Sequence, residues 1–152
     1  MGKLLASFYI PSEKQLNTFI SLAFPLINFT DVRDSTVGNI VDYIPEYVED
    51  GHQYKKGDPF VYNGRYFRAS QDITTSSVWH PGDVGTESLF YEIRIAPDGI
   101  IVWSQPFGEY NAPDKGDLRH YPDSNSPIYR SLIDNNAYSP EVYPAGWELY
   151  EA

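Results

Sequence analysis

Hydrophobic and polar positions follow two regimes that meet near residue 40. Ser12-Glu13-Lys14-Gln15 has the pattern of a capping box, and Leu16, Phe19, Ile20 and Ala23 follow at helical spacing until Pro25 stops the run. One short amphipathic helix is expected over Ser12 to Phe24. Beyond residue 40 the period shortens to that of strands. Val61-Tyr62-Asn63-Gly64-Arg65-Tyr66 sets Asn-Gly between two β-prone runs, and both turn residues tolerate the positive φ of a two-residue hairpin. Leu89, Tyr91, Ile93 and Ile95 alternate with Phe90, Glu92 and Arg94 before Pro97-Asp98-Gly99 turns the chain into Ile100-Ile101-Val102-Trp103, which predicts a second hairpin. From Gln105 to Pro144 the chain is dense in Pro, Asn, Asp and Ser, so strands there are expected to be short and loops prominent.

Composition supports the same division. The 152 residues include 13 Tyr, 8 Phe and 3 Trp beside 11 Gly, 12 Pro and a single Met. Such a mixture favours sheets and turns over helical bundles. The expected fold is mainly β: short antiparallel strands in a compact, sandwich-like body with one short N-terminal helix. The parts are a cap at residues 1–40 and two β units at 41–99 and 100–152. Units this small bury little area alone, so they are expected to pack together, with two small β modules side by side as the alternative.

Charge and chemistry narrow the function. Eleven Lys and Arg against 21 Asp and Glu give −10, which opposes nucleic-acid phosphates and anionic membrane surfaces. Up to residue 40 the charges balance (Lys3, Lys14 and Arg33 against Glu13, Asp31 and Asp34), leaving a neutral, apolar N-terminal segment. It is expected to pack on its own sheet or to dock on a neighbouring subunit. Met1 to Pro11 makes a poor signal peptide, and Ala6 holds the position where a myristoylation start needs Ser or Thr. An intracellular product, or one assembled into a particle inside a cell, is expected. No apolar run approaches the ~20 residues that cross a bilayer, so no membrane insertion is expected. Absence of Cys removes disulfides, thiolate metal sites and cysteine nucleophiles. His52, His80 and His120 form no metal-ligand pair and are expected in turns or on the surface. Asp123-Ser124-Asn125 starts like a calcium loop but lacks the later Gly and closing Glu. Nucleophile elbows, phosphate loops and dinucleotide fingerprints are absent, and no carboxylate pair stands out for glycoside hydrolysis. No catalytic residue, metal or cofactor is expected.

The strongest signal is a repeat. Lys56-Gly57-Asp58 recurs as Lys115-Gly116-Asp117 at an offset of 59, and Arg68-Ala69-Ser70-Gln71-Asp72 recurs loosely as Arg130-Ser131-Leu132-Ile133-Asp134 at 62. Tyr43-Ile44-Pro45 precedes the first unit much as Trp103-Ser104-Gln105-Pro106 precedes the second. Each unit closes with a Pro/Gly element, Pro81-Gly82 and Pro144-Ala145-Gly146-Trp147. The run Tyr54-Lys55-Lys56-Gly57-Asp58 to Tyr62-Asn63-Gly64-Arg65-Tyr66 and on to Ala69 resembles the small chitin-binding type of carbohydrate-binding module, although Trp79 precedes Pro81-Gly82 and Phe90-Tyr91 holds the place of the closing Trp. The second unit, from Gln105-Pro106-Phe107-Gly108 through Lys115-Gly116-Asp117 to Trp147, resembles the version at the ends of tail-associated proteins of phages and prophages of Gram-positive bacteria.

The resemblance covers about the last two-thirds of the chain. It implies a structural turn at Gly57, Asp58, Gly116 and Asp117, where Gly permits a tight backbone and Asp accepts neighbouring N–H groups. It also implies that exposed aromatics stack on sugar rings, with Tyr62, Tyr66 and Trp79 as candidates in the first unit and Tyr129, Tyr138 and Trp147 in the second. Core packing is the competing role for each, and the stronger one for Trp147. The implied function is a non-enzymatic virion component, made in the host cytoplasm and carried on the tail. It would contact other tail proteins through its N-terminal segment and bacterial cell-surface glycan through its repeats. A free carbohydrate-binding module and an accessory of a cell-wall polysaccharide hydrolase are the alternatives.

Overall fold

The computed structural model describes residues 12–108 and 111–152, so Met1 to Pro11 and the targeting signals considered there lie outside the described residues. The chain is mainly β, with short antiparallel strands after one N-terminal helix. Helix α1 (Glu13–Ala23) starts at a complete capping box: Gln15 N–H donates to Ser12 Oγ, and Ser12 N–H donates to the Gln15 side chain. Pro25 ends it in a 3-10 turn, Phe24–Leu26. A second, one-turn helix, α2 (Asp34–Gly38), was hidden by its lack of periodicity.

The strands are β1 (Gln53–Tyr54), β2 (Pro59–Tyr62), β3 (Arg65–Ala69), β4 (Ile73–Thr74), β5 (Phe90–Ile93), β6 (Leu118–His120), β7 (Ile128–Ser131) and β8 (Trp147–Leu149). They form two three-stranded antiparallel sheets, β2-β3-β5 and β6-β7-β8, with the small ribbon β1-β4 beside the first. The Asn63-Gly64 hairpin joins β2 and β3, both turn residues at positive φ. The second expected hairpin is reduced to its turn and one bridge, Ile95 to Ile101.

The two sheets repeat one another in strand order and in the bonds of the entering turn. Gly57 N–H donates to the Ala69 carbonyl and Ala69 N–H to that of Asp58; Gly116 and Ser131, and Ser131 and Asp117, do the same. Ala69 pairs with Phe90 as Ser131 pairs with Trp147, so Phe90 holds the place of the closing Trp in the first unit. A parallel bridge precedes each unit, Glu46 to Val61 and Val102 to His120, which makes Tyr47 the counterpart of Trp103 in place of Tyr43.

Strand alternation gives the first sheet two buried faces. On one, Tyr54, Phe60, Phe67, Ala69 and Phe90 form an aromatic core. On the other, Phe29, Val37, Ile44, Ile93 and Ile101 bind the segment after α1 to the sheet. Within this second interface Arg68 is fully buried and donates to Asp34 Oδ1 at 2.6 Å and to the Phe29 and Gly57 carbonyls at 2.7 Å each. Tyr91 donates to the same Asp34 oxygen at 2.8 Å. Burial pushes the Asp34 carboxyl up, against the pull of the Arg68 charge. The next residues of α2 reach the second unit: Ser35 donates to Asp117 at 2.7 Å and accepts from Arg119 at 2.9 Å, while Arg33 pairs with Asp114 at 3.0 Å. The cap thus divides in two. Its later half is a polar wedge between the units, whereas α1 buries none of its residues.

Candidate functional site

Each unit places a loop between its second and third main strands, and these loops carry the most exposed of the candidate aromatics. In the first unit the Ser76 side chain accepts the backbone N–H groups of Val78 and Trp79, setting Trp79 at the surface with 54% of its area exposed. Buried Thr86 ties the loop down by donating to the His80 and Asp83 carbonyls at 3.1 and 2.7 Å. Tyr62 does not join Trp79: His80 stacks on it with centroids 5.8 Å apart, and Tyr47 meets it edge-on at 5.4 Å. Tyr66 is half-buried against the interface with the N-terminal segment. Only Trp79 of the three first-unit candidates stands open.

In the second unit the loop hangs on two buried groups. Asn136 donates to Ser131 Oγ and the Gly146 carbonyl at 3.1 and 3.0 Å, and Trp147 Nε1 donates to the Tyr138 carbonyl at 2.9 Å. Trp147, a candidate sugar contact from the sequence, is only 5% exposed. It packs inside and fixes the backbone of exposed Tyr138. Tyr138 is 58% exposed and meets Tyr143, itself 40% exposed, at 6.2 Å and 71°. Tyr143 was not among the candidates, because its Pro-flanked position carries no strand pattern. Its ring lies over Gly146, where a Cβ would come within 2.6 Å of it. Tyr129 is half-buried on β7, paired with Arg119 and Leu149 in the sheet register.

The turn residues behave alike in both units. Gly57 and Gly116 hold φ of 92° and 95°. Asp58 accepts Lys55 N–H at 2.8 Å, and Asp117 accepts Asp114 N–H at 2.9 Å. Asp72 and Asp134 cap the same turns through Lys56 and Lys115 N–H. Gly57, Asp58, Gly116 and Asp117 thus shape the turns, with Arg68 donating to the Gly57 carbonyl in the first unit and Ser35 to Asp117 in the second.

His120 departs from the expected surface position. It is 6% exposed, with Nε2 2.7 Å from Asp98 Oδ2 and Nδ1 2.7 Å from the Ser126 carbonyl. Two acceptors facing one ring call for two N–H donors, the imidazolium form. Burial lowers the pKa of His120, but the Ser126 and Asp98 hydrogen bonds outweigh it and the net shift is upward. Asp98 is correspondingly lowered: desolvation opposes, while the Ile100 N–H and His120 bonds prevail. The pair pins the inter-unit turn to β6.

Among the described residues no group of three His, Asp or Glu side chains is placed to hold a metal ion, and no helix is long and apolar enough to cross a membrane. The carboxyls raised by burial, Asp34 and Asp58, are both tied into the scaffold, to Arg68 and to Lys55 N–H. No protein-family model matches the chain, and no curated protein matches it.

Proposed function

We propose that the protein is a non-enzymatic tail-associated component of a phage or prophage of Gram-positive bacteria, with an architectural and host-surface role exercised through cell-surface glycan. The observation that carries the glycan part is the exposed Tyr138–Tyr143 pair, held on a loop whose backbone is fixed by buried Trp147 and Asn136. Rigid aromatic surface is what a shallow sugar site needs, since the C–H faces of a pyranose match a flat π surface and little side-chain entropy is lost. Trp79 offers a second contact of the same kind on the equivalent loop. The tail assignment is supported by the resemblance of the second unit. The exposed apolar residues Phe19, Leu22 and Leu26 on and after α1 suit contact with a neighbouring tail protein.

A single shallow site of this kind binds at about −4 to −7 kcal/mol, millimolar to roughly ten micromolar. An array of wall polysaccharides, teichoic acids and chitin oligomers tests the reading, with a Tyr138→Ala/Tyr143→Ala variant alongside. Saturable binding that the variant loses is expected. Silence from a folded sample would leave only an architectural role, and absence of the protein from purified particles by mass spectrometry would remove the tail assignment.

A further inference from the structure

The aromatic face of the first sheet opens into a groove of about 380 Å³ that none of the candidate aromatics lines. Its floor is the rings of Phe67 and Phe90, both buried. Arg65 forms one wall. Its guanidinium lies 5.1 Å from the Phe67 centroid and is clamped by Glu92, with Nε and Nη2 donating at 3.0 and 2.6 Å. That leaves Nη1 without a protein acceptor among the described residues, facing Gly82, where a Cβ would meet it at 2.9 Å. Glu87 and Asp83 also line it, and Phe107, 59% exposed and edge-on to Tyr91 at 4.8 Å, makes an aromatic lip.

We infer that this groove is a second carbohydrate subsite, and that it takes an uncharged hexopyranose oligosaccharide. The inference rests on the glycan-binding reading above and adds to it a place and a charge class. A pyranose presents hydroxyls that donate and accept at its rim and C–H groups on its face. The groove offers a fixed N–H donor at Arg65, carboxylate acceptors at Glu87 and Glu92, and a ring at Phe107. Three carboxylates against one paired guanidinium make the groove net negative, so uronates and phosphate-bearing polymers are repelled at short range. The volume sits near the lower end of ligand pockets, about 300–1,000 Å³, which suits a short stretch of sugar.

Backbone amide NMR titrations of the whole protein test this, with cellotetraose and N-acetylchitotetraose as uncharged probes and tetragalacturonate as the anionic one, each taken into the millimolar range. An uncharged probe is expected to shift the Gly82, Glu92 and Phe107 amides. Phe107→Ala, at an exposed position, should weaken that response at least fivefold with the fold intact, and Glu87→Gln should weaken it less. Tyr138→Ala should leave it unchanged. Shifts confined to the Tyr138–Tyr143 loop would overturn the groove while sparing the glycan reading. A groove response to tetragalacturonate as strong as to the neutral probes would overturn the charge class. No shift anywhere with any probe would overturn the groove and count against the glycan reading together.

Discussion

Arg68 and Arg130 occupy the same place in the two sheets: each follows the central strand's register, opposite Pro59 and Tyr91 in one unit and opposite Leu118 and Glu148 in the other. Their fates differ completely. Arg68 is sealed by Asp34 and two carbonyls beneath the N-terminal segment, whereas Arg130 lies half-exposed and pairs with Glu148 at the surface. The face that the first unit gives to the N-terminal segment is open to solvent around Arg130 in the second, with His120 at its far end buried against Asp98. One scaffold, set by a Gly-Asp turn and three strands, therefore serves two purposes. The first unit takes the apolar side of the N-terminal segment, and the second meets that segment through the polar groups of Asp114, Asp117 and Arg119.

The sharpest way to break this contrast is to remove the arginines in turn. Arg68→Met should cost about 3–5 kcal/mol, because Asp34 is left as a buried uncompensated charge. Arg130→Met should cost about 0–1 kcal/mol, as exposed pairs do. Chemical denaturation of both variants checks the difference, and equal losses would contradict it. Glycine substitutions probe the same asymmetry at smaller amplitude. Gly116→Ala meets no atom within 4 Å and pays only for positive φ, about 1–2 kcal/mol. Gly57→Ala carries that cost and also drives its Cβ into the Phe29 carbonyl, so it should melt at a clearly lower temperature than Gly116→Ala.

Trp147→Phe deletes the hydrogen bond to the Tyr138 carbonyl, worth about 1 kcal/mol, and the packing lost as the buried indole is trimmed to one ring adds to that cost. Faster hydrogen exchange should follow in the 137–146 loop only. The His120–Asp98 link sharpens the comparison through pH. His120 has a folded pKa above the unfolded 6.5, so its contribution is complete below that value and fades as pH rises through the folded pKa. Asp98, depressed below 3.8, contributes above 3.8 and fades as pH falls through its folded pKa. Wild type should accordingly lose stability on going from pH 6 to pH 8 relative to a His120→Gln variant, in thermal melts at fixed ionic strength. A pH-independent difference between the two would contradict the pairing.

Periodicity and turn chemistry made much of this legible. The capping box at Ser12, the Asn63-Gly64 hairpin and the repeated Lys-Gly-Asp are local signals, set by a few neighbouring residues, and each appears where the pattern puts it. The wedge at residues 33–38 is not local. Its meaning lies in partners far along the chain, Arg68, Tyr91, Asp117 and Arg119, and two acids in a loop look the same whether solvated or buried. The site was legible in part for the same reason. Composition announced a surplus of aromatics, but the difference between exposed Tyr138 and buried Trp147 depends on how the loop crosses the end of the sheet. Tyr143 and the Arg65 groove depend on neighbours that adjacency in sequence does not name.

The proposed reading makes the second unit's loop the main glycan contact and the first-unit groove a weaker, second one. It is tested most directly by titrating the best array ligand into wild type, Trp79→Ala and Tyr138→Ala/Tyr143→Ala, with thermal melts on the same samples. All three should melt alike, since surface truncations of this kind change stability by about 0.5 kcal/mol or less. The double variant should bind at least tenfold more weakly than wild type, and Trp79→Ala should lose less. Undiminished binding by the double variant, or a loss matched by unfolding, would contradict the account.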